Sequence, residues 1–175
     1  GNKIHLNYSS KNENTIGNFK IEIAKINTPY FFDYSSKLNC INYALDLVRN
    51  LTVENFTNRE IYELLDKFFV NLHQSDWINK FIFWELELFK SLGYEINYLN
   101  YVKKKITNKG YIYVLKNDES RIIPNFLVEK LTNNLNRIDV INGLTINGDF
   151  LDKTIIESDN QNILNLRKQF TKLVI

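Results

Sequence analysis

The chain has 175 residues, enough for one domain of ordinary size or one domain with a small appendage. With 44% of its residues hydrophobic and 24% charged it can fill a core, which excludes an intrinsically disordered protein, and its net charge of +2 permits contact with nucleic acid without demanding it. A single cysteine, Cys40, excludes an internal disulfide, and no apolar run approaches the ~20 residues of a membrane span, so no membrane partner is expected.

The first thirty residues read as strand. Lys3 to Tyr8 alternates polar and apolar, and Phe19 to Ile26 alternates again with Phe19, Ile21 and Ile23 on one face. The polar stretch between them ends in Gly17-Asn18, which predicts an antiparallel pair joined by a long loop. Two strands alone are marginal in water, so the pair is expected to lean on the first helices with Phe31, Phe32 and Tyr34 as glue. Thr28-Pro29 breaks the pattern, and the domain boundary is placed there, giving residues 1–30 and 31–175.

From Ser35 onward the period becomes helical. Leu38, Ile41, Leu45 and Val48 form one stripe, capped by Ser35 or Ser36. Thr57-Asn58-Arg59-Glu60 has the form of a capping box and opens a second helix with Ile61, Leu64, Leu65, Phe68 and Leu72 on its face. Ser75-Asp76 opens a third, whose stripe is Ile78, Phe81, Ile82, Leu88, Phe89 and Leu92, and Gly93 stands where a left-handed C-terminal cap belongs. A short irregular or helical piece spans 97–105. Tyr111 to Leu115 and Arg121 to Ile123 then flank a turn, which predicts a small hairpin. Pro124 suits the start of a helix over 124–135. Residues 138–156 carry Ile141, Leu144, Gly148, Leu151 and Ile155 at helical spacing, and 160–173 carry Ile163, Leu166, Phe170 and Leu173.

No catalytic constellation is visible: there is no Gly-rich phosphate loop, nucleophile elbow or paired-His motif. One cysteine with two distant histidines, His5 and His73, argues against a zinc site, and no cofactor is expected. Cys40 reads as an inert, partly buried thiol. Glu85 falls on the apolar face of the third helix, where a carboxylate is costly unless paired. It is expected to cap backbone N–H groups or to meet a cation such as Arg121 or Arg167, the alternative being a functional carboxylate. Gly148, on an apolar helix face, implies a close helix–helix approach. Lys103, Lys104 and Lys105, with Lys109, form the densest positive cluster and are flanked by Tyr98, Tyr101, Tyr111 and Tyr113. Cations attract phosphates and aromatic faces stack bases, so these are DNA-binding candidates on a loop, the alternative being a lysine run that is simply solvated. Lys3, Lys20 and Lys25 form a weaker second patch, diluted by Glu22 on the same face as Lys20.

The third helix also carries a recognisable pattern. Trp84-Glu85-Leu86-Glu87-Leu88-Phe89-Lys90-Ser91-Leu92-Gly93-Tyr94 resembles the F-E-L-x-L-L-x-x-L-G-Y signature of the bacterial RecO family of recombination mediators, most closely its alphaproteobacterial branch. The likeness extends to Gly17 to Ile21, to Ser35 to Leu38, to the strand excursion Tyr113 to Arg121, to Leu144, Gly148, Phe150 and Leu151, and to Arg167 in the last helix. It implies an α+β, mainly α chain: a β-hairpin remnant of an OB-fold, then a RecO-like helical domain with a small β-hairpin excursion. It also implies that Gly1 falls inside the barrel and that about three strands upstream of it are missing. Many members hold zinc with four cysteines after the L-G-Y segment, and this sequence has none there.

The resemblance implies a non-enzymatic cytoplasmic protein associated with the nucleoid. It would bind single- and double-stranded DNA, associate with RecR, contact the acidic C-terminal tail of single-stranded DNA-binding protein, anneal strands and help load RecA in the RecF pathway. Lys80 and Lys90 are candidate rim charges for the tail, although the position just before the signature, basic in other members, reads Ile82-Phe83 here. The alternative from another class is a helical protein-interaction module that does not bind DNA.

Overall fold

The computed structural model describes residues 1–12, 16–53, 57–108, 110–131, 135–155 and 161–174. Strands β1 (Lys3–Ser9) and β2 (Asn18–Lys25) pair antiparallel as an isolated two-stranded sheet. Their register sets Ile4 against Ile23, Leu6 against Ile21 and Tyr8 against Phe19, so six large apolar side chains share one face. The opposite face carries His5 against Glu22 and Asn7 against Lys20.

The base of this hairpin is tied down by polar contacts. The Asn2 side chain accepts hydrogen bonds from the Asn27 and Thr28 amides, and Lys3 reaches Asp66 at 2.8 Å. The expected aromatic glue does not cover the hairpin, whose six large apolar side chains are all exposed. Phe31 is buried, whereas Phe32 and Tyr34 are exposed and pack nothing of the hairpin away from water.

After a 3₁₀ turn at Thr28–Phe31, the helices are α1 (Ser35–Leu51), α2 (Arg59–Asn71) and α3 (Trp77–Ser91). A single helical turn, α4 (Tyr98–Tyr101), leads into a three-stranded antiparallel sheet of β3 (Val102–Thr107), β4 (Gly110–Leu115) and β5 (Ile122–Ile123), in that order. Then come α5 (Asn125–Glu129), α6 (Arg137–Phe150), a π-helical turn at Leu151–Ile155, and α7 (Gln161–Val174). α1 packs on α7, α2 on α3, and α3 on α6, around one aromatic-rich core. Phe68, Phe81, Trp84 and Phe170 meet there edge-on, tilted or stacked, and the Trp84 indole donates to the Leu64 carbonyl at 2.8 Å.

Several local expectations change. Tyr34, not a serine, holds the N-cap of α1, and no side chain caps it. The buried face of α1 is Cys40, Ile41, Tyr43, Ala44 and Leu47, rotated from the predicted stripe because Tyr43 turns inward to a buried carboxylate. Asn58 rather than Thr57 caps α2, accepting from the Ile61 amide, and Asp76 caps α3 without a side-chain bond. The predicted helix over 124–135 is the five-residue α5, ended by Lys130 in the left-handed conformation; residues 132–134 lie outside the described set. The 138–156 stretch opens instead on a capping box, Asn136 with Asp139, and ends in the π-helical turn. Gly93 does cap α3: with φ of +90° it lets its own amide reach the Lys90 carbonyl and the Tyr94 amide reach Phe89.

Candidate nucleic-acid and protein interface

Glu85 is fully buried. Its Oε1 accepts from the Tyr43 hydroxyl at 2.6 Å and pairs with Arg167, and its Oε2 accepts from Asn147 Nδ2 at 3.0 Å. Arg167 is 5% exposed and also donates to the Tyr43 hydroxyl at 2.7 Å and to the Leu144 carbonyl at 2.6 Å. Of the two cations expected for Glu85, Arg167 is therefore the partner. Arg121 pairs with Asp149 elsewhere. Burial alone would pull the Arg167 guanidinium down, but the charge of Glu85 and the hydrogen bonds to Glu85 and Tyr43 outweigh it and leave it above its ordinary value. Burial pushes the Tyr43 hydroxyl and the Cys40 thiol well up, which keeps both neutral. This four-helix cluster has its polar groups satisfied by one another and closes on the protein interior, so it serves the fold.

Gly148 owes its identity to that cluster. A Cβ there would lie 2.6 Å from Arg167 Nε and 3.4 Å from its Cδ and Cζ. The side chain of Arg167, from α7, crosses the glycine. Five residues earlier Gly143 faces an aromatic ring, where a Cβ would lie 2.7 Å from Phe126 Cζ.

The lysine cluster is on a strand, not a loop. Alternation along β3 places Lys104 on the face of Val102 and Ile106, and Lys103 and Lys105 on the other. Glu119, in the turn between β4 and β5, pairs with both Lys103 and Lys105, the latter at 3.4 Å, and its carboxyl is held below its usual value by Lys103 and then Lys105. Lys104 lies 3.5 Å over the Tyr111 ring. The Tyr111 hydroxyl donates to Glu129 at 2.7 Å and that of Tyr113 at 3.1 Å. β3 is an edge strand, and lysines on an edge also discourage pairing with another chain. Lys109 lies outside the described residues.

The other candidates do not join this strand. Lys3 is bound to Asp66 and sits 4.7 Å over the Tyr62 ring, while Lys20 pairs with Glu22 at 2.9 Å. Lys90 pairs with Glu95 at 3.1 Å on the rim of a groove of about 280 Å³ floored by Phe83, Leu86, Ile96 and Leu127. Lys80 pairs with Asp76 at 3.1 Å and lines a separate recess beside Phe83 and Trp84. Among the described residues no group of three or more His, Cys, Asp or Glu side chains comes together, and no helix is long and apolar enough to cross a membrane.

Residues 35–114, from α1 through nearly all of β4, match the family model described as Recombination protein O C terminal. A DNA repair protein RecO from Ehrlichia chaffeensis is 22% identical over 193 residues, spanning 99% of this chain and 79% of that protein. Both matches support a RecO family protein. No solved structure matches the chain. The matched span holds Glu85, Gly93 and the three β3 lysines, and it stops before Arg121, Gly148 and Arg167. The relative's name places it in DNA repair, and the mixed, mostly helical fold of this chain is consistent with a RecO C-terminal domain.

Sequence reasoning missed Asn147 and Glu119. Asn147 was in reach: it sits between Leu144 and Leu151 on the buried stripe of α6, the same signal that singled out Glu85. Glu119 had no local signal, because its meaning depends on recognising β3.

Proposed function

We propose that the protein is a recombination mediator of the RecO type. It binds single- and double-stranded DNA, works with RecR and with the acidic tail of single-stranded DNA-binding protein, and assists strand annealing and RecA loading in the RecF pathway. It does so in the cytoplasm, at the nucleoid, and catalyses no reaction. The observation that carries this reading is the ordered likeness to RecO, concentrated in residues 35–114. Residues 1–30 are read as the last strands of an OB-fold: their six apolar side chains share a face, as strands lining a barrel interior do. Residues 31–175 are read as the helical domain.

The DNA surface is the basic arm formed by β3 and β4. Lys103 and Lys105 share one carboxylate and Lys104 has no ion-pair partner among the described residues, so the arm keeps a positive balance for phosphates. The acidic tail would lie in the groove beside Lys90 and Lys130, where an apolar floor meets two cations, Lys130 and the Glu95-paired Lys90, with Glu87 also on the rim. The second reading, a protein-interaction module without DNA binding, is favoured by the neutralising position of Glu119. Titration of the chain into labelled single-stranded DNA at increasing salt separates the two. Binding that weakens linearly with the logarithm of salt supports the mediator. No binding at low salt refutes it.

A further inference from the structure

One well-formed cavity of the described structure has no role in the sites above. It encloses about 490 Å³ between α4, the β4–β5 turn and the end of α6, within the range of small-ligand pockets. Its walls are apolar, half of them aromatic: Ile96, Tyr98, Tyr101, Ile123, Ile146 and Phe150. Its rim is charged. Two acids and two cations stand there, Glu95 and Asp149 with Arg121 and Lys153. Glu95 is already paired with Lys90, and Asp149 with Arg121. The four rim charges balance, but Glu95 is offset by Lys90 from outside the cavity and Lys153 makes no ion pair among the described residues, so Lys153 is the rim cation left for an anion.

Two further features converge here. The π-helical turn after α6 presents Lys153 and Thr154 to the cavity, and such widened turns are frequent at functional sites. Tyr101 and Leu115 also lie at the start of the lysine strand: Tyr101 immediately precedes β3, and its carbonyl accepts from the Lys116 amide at 2.9 Å. The cavity therefore stands at one end of the row of cations on β3.

We propose that this cavity receives an unstacked nucleobase of single-stranded DNA. The base lies against the Tyr101 ring, with flanking phosphates held by Lys153 and the free edge of Arg121. Aromatic walls supply stacking faces that tolerate any base, and the unpaired Lys153 at the mouth, together with the nearby lysine strand, tracks the backbone. A purely apolar ligand would gain nothing from that mouth. The proposal rests on the DNA-binding reading above and names where on the chain a base is held.

The test is fluorescence anisotropy of the full chain with labelled oligothymidylate at several salt concentrations, together with the emission of an oligonucleotide carrying 2-aminopurine. Tyr101 is 61% exposed, so Tyr101→Ala is compatible with the fold, which circular dichroism checks. Tyr101→Ala is expected to weaken binding about tenfold with an unchanged salt slope and to abolish stacking quenching of 2-aminopurine, while Tyr101→Phe restores both. Lys153→Ala is expected to flatten the slope by about 0.7, the value for one phosphate on a single strand. If the wild type binds and Tyr101→Ala binds equally well, this inference is overturned and the DNA-binding reading stands. If the wild type does not bind, that reading falls and takes this one with it. An acidic peptide ending in phenylalanine that binds the wild type and is lost in Tyr101→Ala, with DNA affinity intact, assigns the cavity to a protein tail and likewise overturns the proposal.

Discussion

The buried Glu85–Arg167 pair yields the sharpest stability prediction. Glu85→Ala removes the acceptor of three groups at once: the Tyr43 hydroxyl, Asn147 Nδ2 and the Arg167 guanidinium. Arg167 would keep only the Tyr43 hydroxyl and the Leu144 carbonyl, with its charge still buried. Breaking a buried pair from one side costs about 3–5 kcal/mol, against about 5–15 kcal/mol for the whole fold. Arg167→Met should cost a similar amount, because it strands the carboxylate. Removing both charges with Glu85→Leu and Arg167→Met leaves no orphaned ion, so the double variant should lose far less than the sum of the two, with a coupling of about 2 kcal/mol or more. Urea unfolding followed by tryptophan emission reads this directly, since Trp84 lies on the same helix as Glu85. Arg167→Lys, which keeps the charge but loses the forked donors, provides an intermediate variant if either single substitution is too unstable to purify. Additive losses across the cycle, or single losses below about 1 kcal/mol, would refute the account of this cluster.

Gly148→Ala should destabilise by about 1–3 kcal/mol despite the better helix propensity of alanine, because the new Cβ meets an Arg167 side chain that Glu85 holds in place. A gain of about 1 kcal/mol in the same urea assay would mean that Arg167 is free to move aside. Alkaline pH should unfold the protein through Cys40 and Tyr43: their folded values lie well above the ordinary 9.0 and 10.0, so between those values and the folded ones the unfolded chain has lost protons the native state retains. Stability is then full below pH 9.0 and declines above it, by about 1.4 kcal/mol per pH unit for each group, and a flat profile from pH 8 to pH 11 contradicts the burial argument. On the DNA arm, Glu119→Gln should tighten binding and steepen its salt dependence by freeing Lys103 and Lys105, whereas Lys103/Lys104/Lys105→Ala should weaken binding and flatten the slope. Unchanged slopes in both variants remove this strand from the DNA surface.

What was legible in the sequence follows from how local each cause is. The stripes of α2 and α3 could be read because a helix that packs one face repeats its apolar residues every three to four positions, and Gly93 because a left-handed cap needs a residue without a side chain. Glu85 could be read as a buried carboxylate for the same reason, but which cation meets it was a choice between Arg121 and Arg167 that only the packing of α7 on α1 and of α3 on α6 decides. β3 was hidden by its own chemistry. Three consecutive lysines erase the polar–apolar alternation, since on an edge strand both faces tolerate charge, and without β3 the role of Glu119 has no basis. The same step altered the functional argument: as a loop, Lys103, Lys104 and Lys105 form one patch of three charges, but as a strand they divide between two faces and one carboxylate offsets two of them. The affinity available from this arm is therefore modest, which gives weight to a stacking contribution from an aromatic cavity at its end.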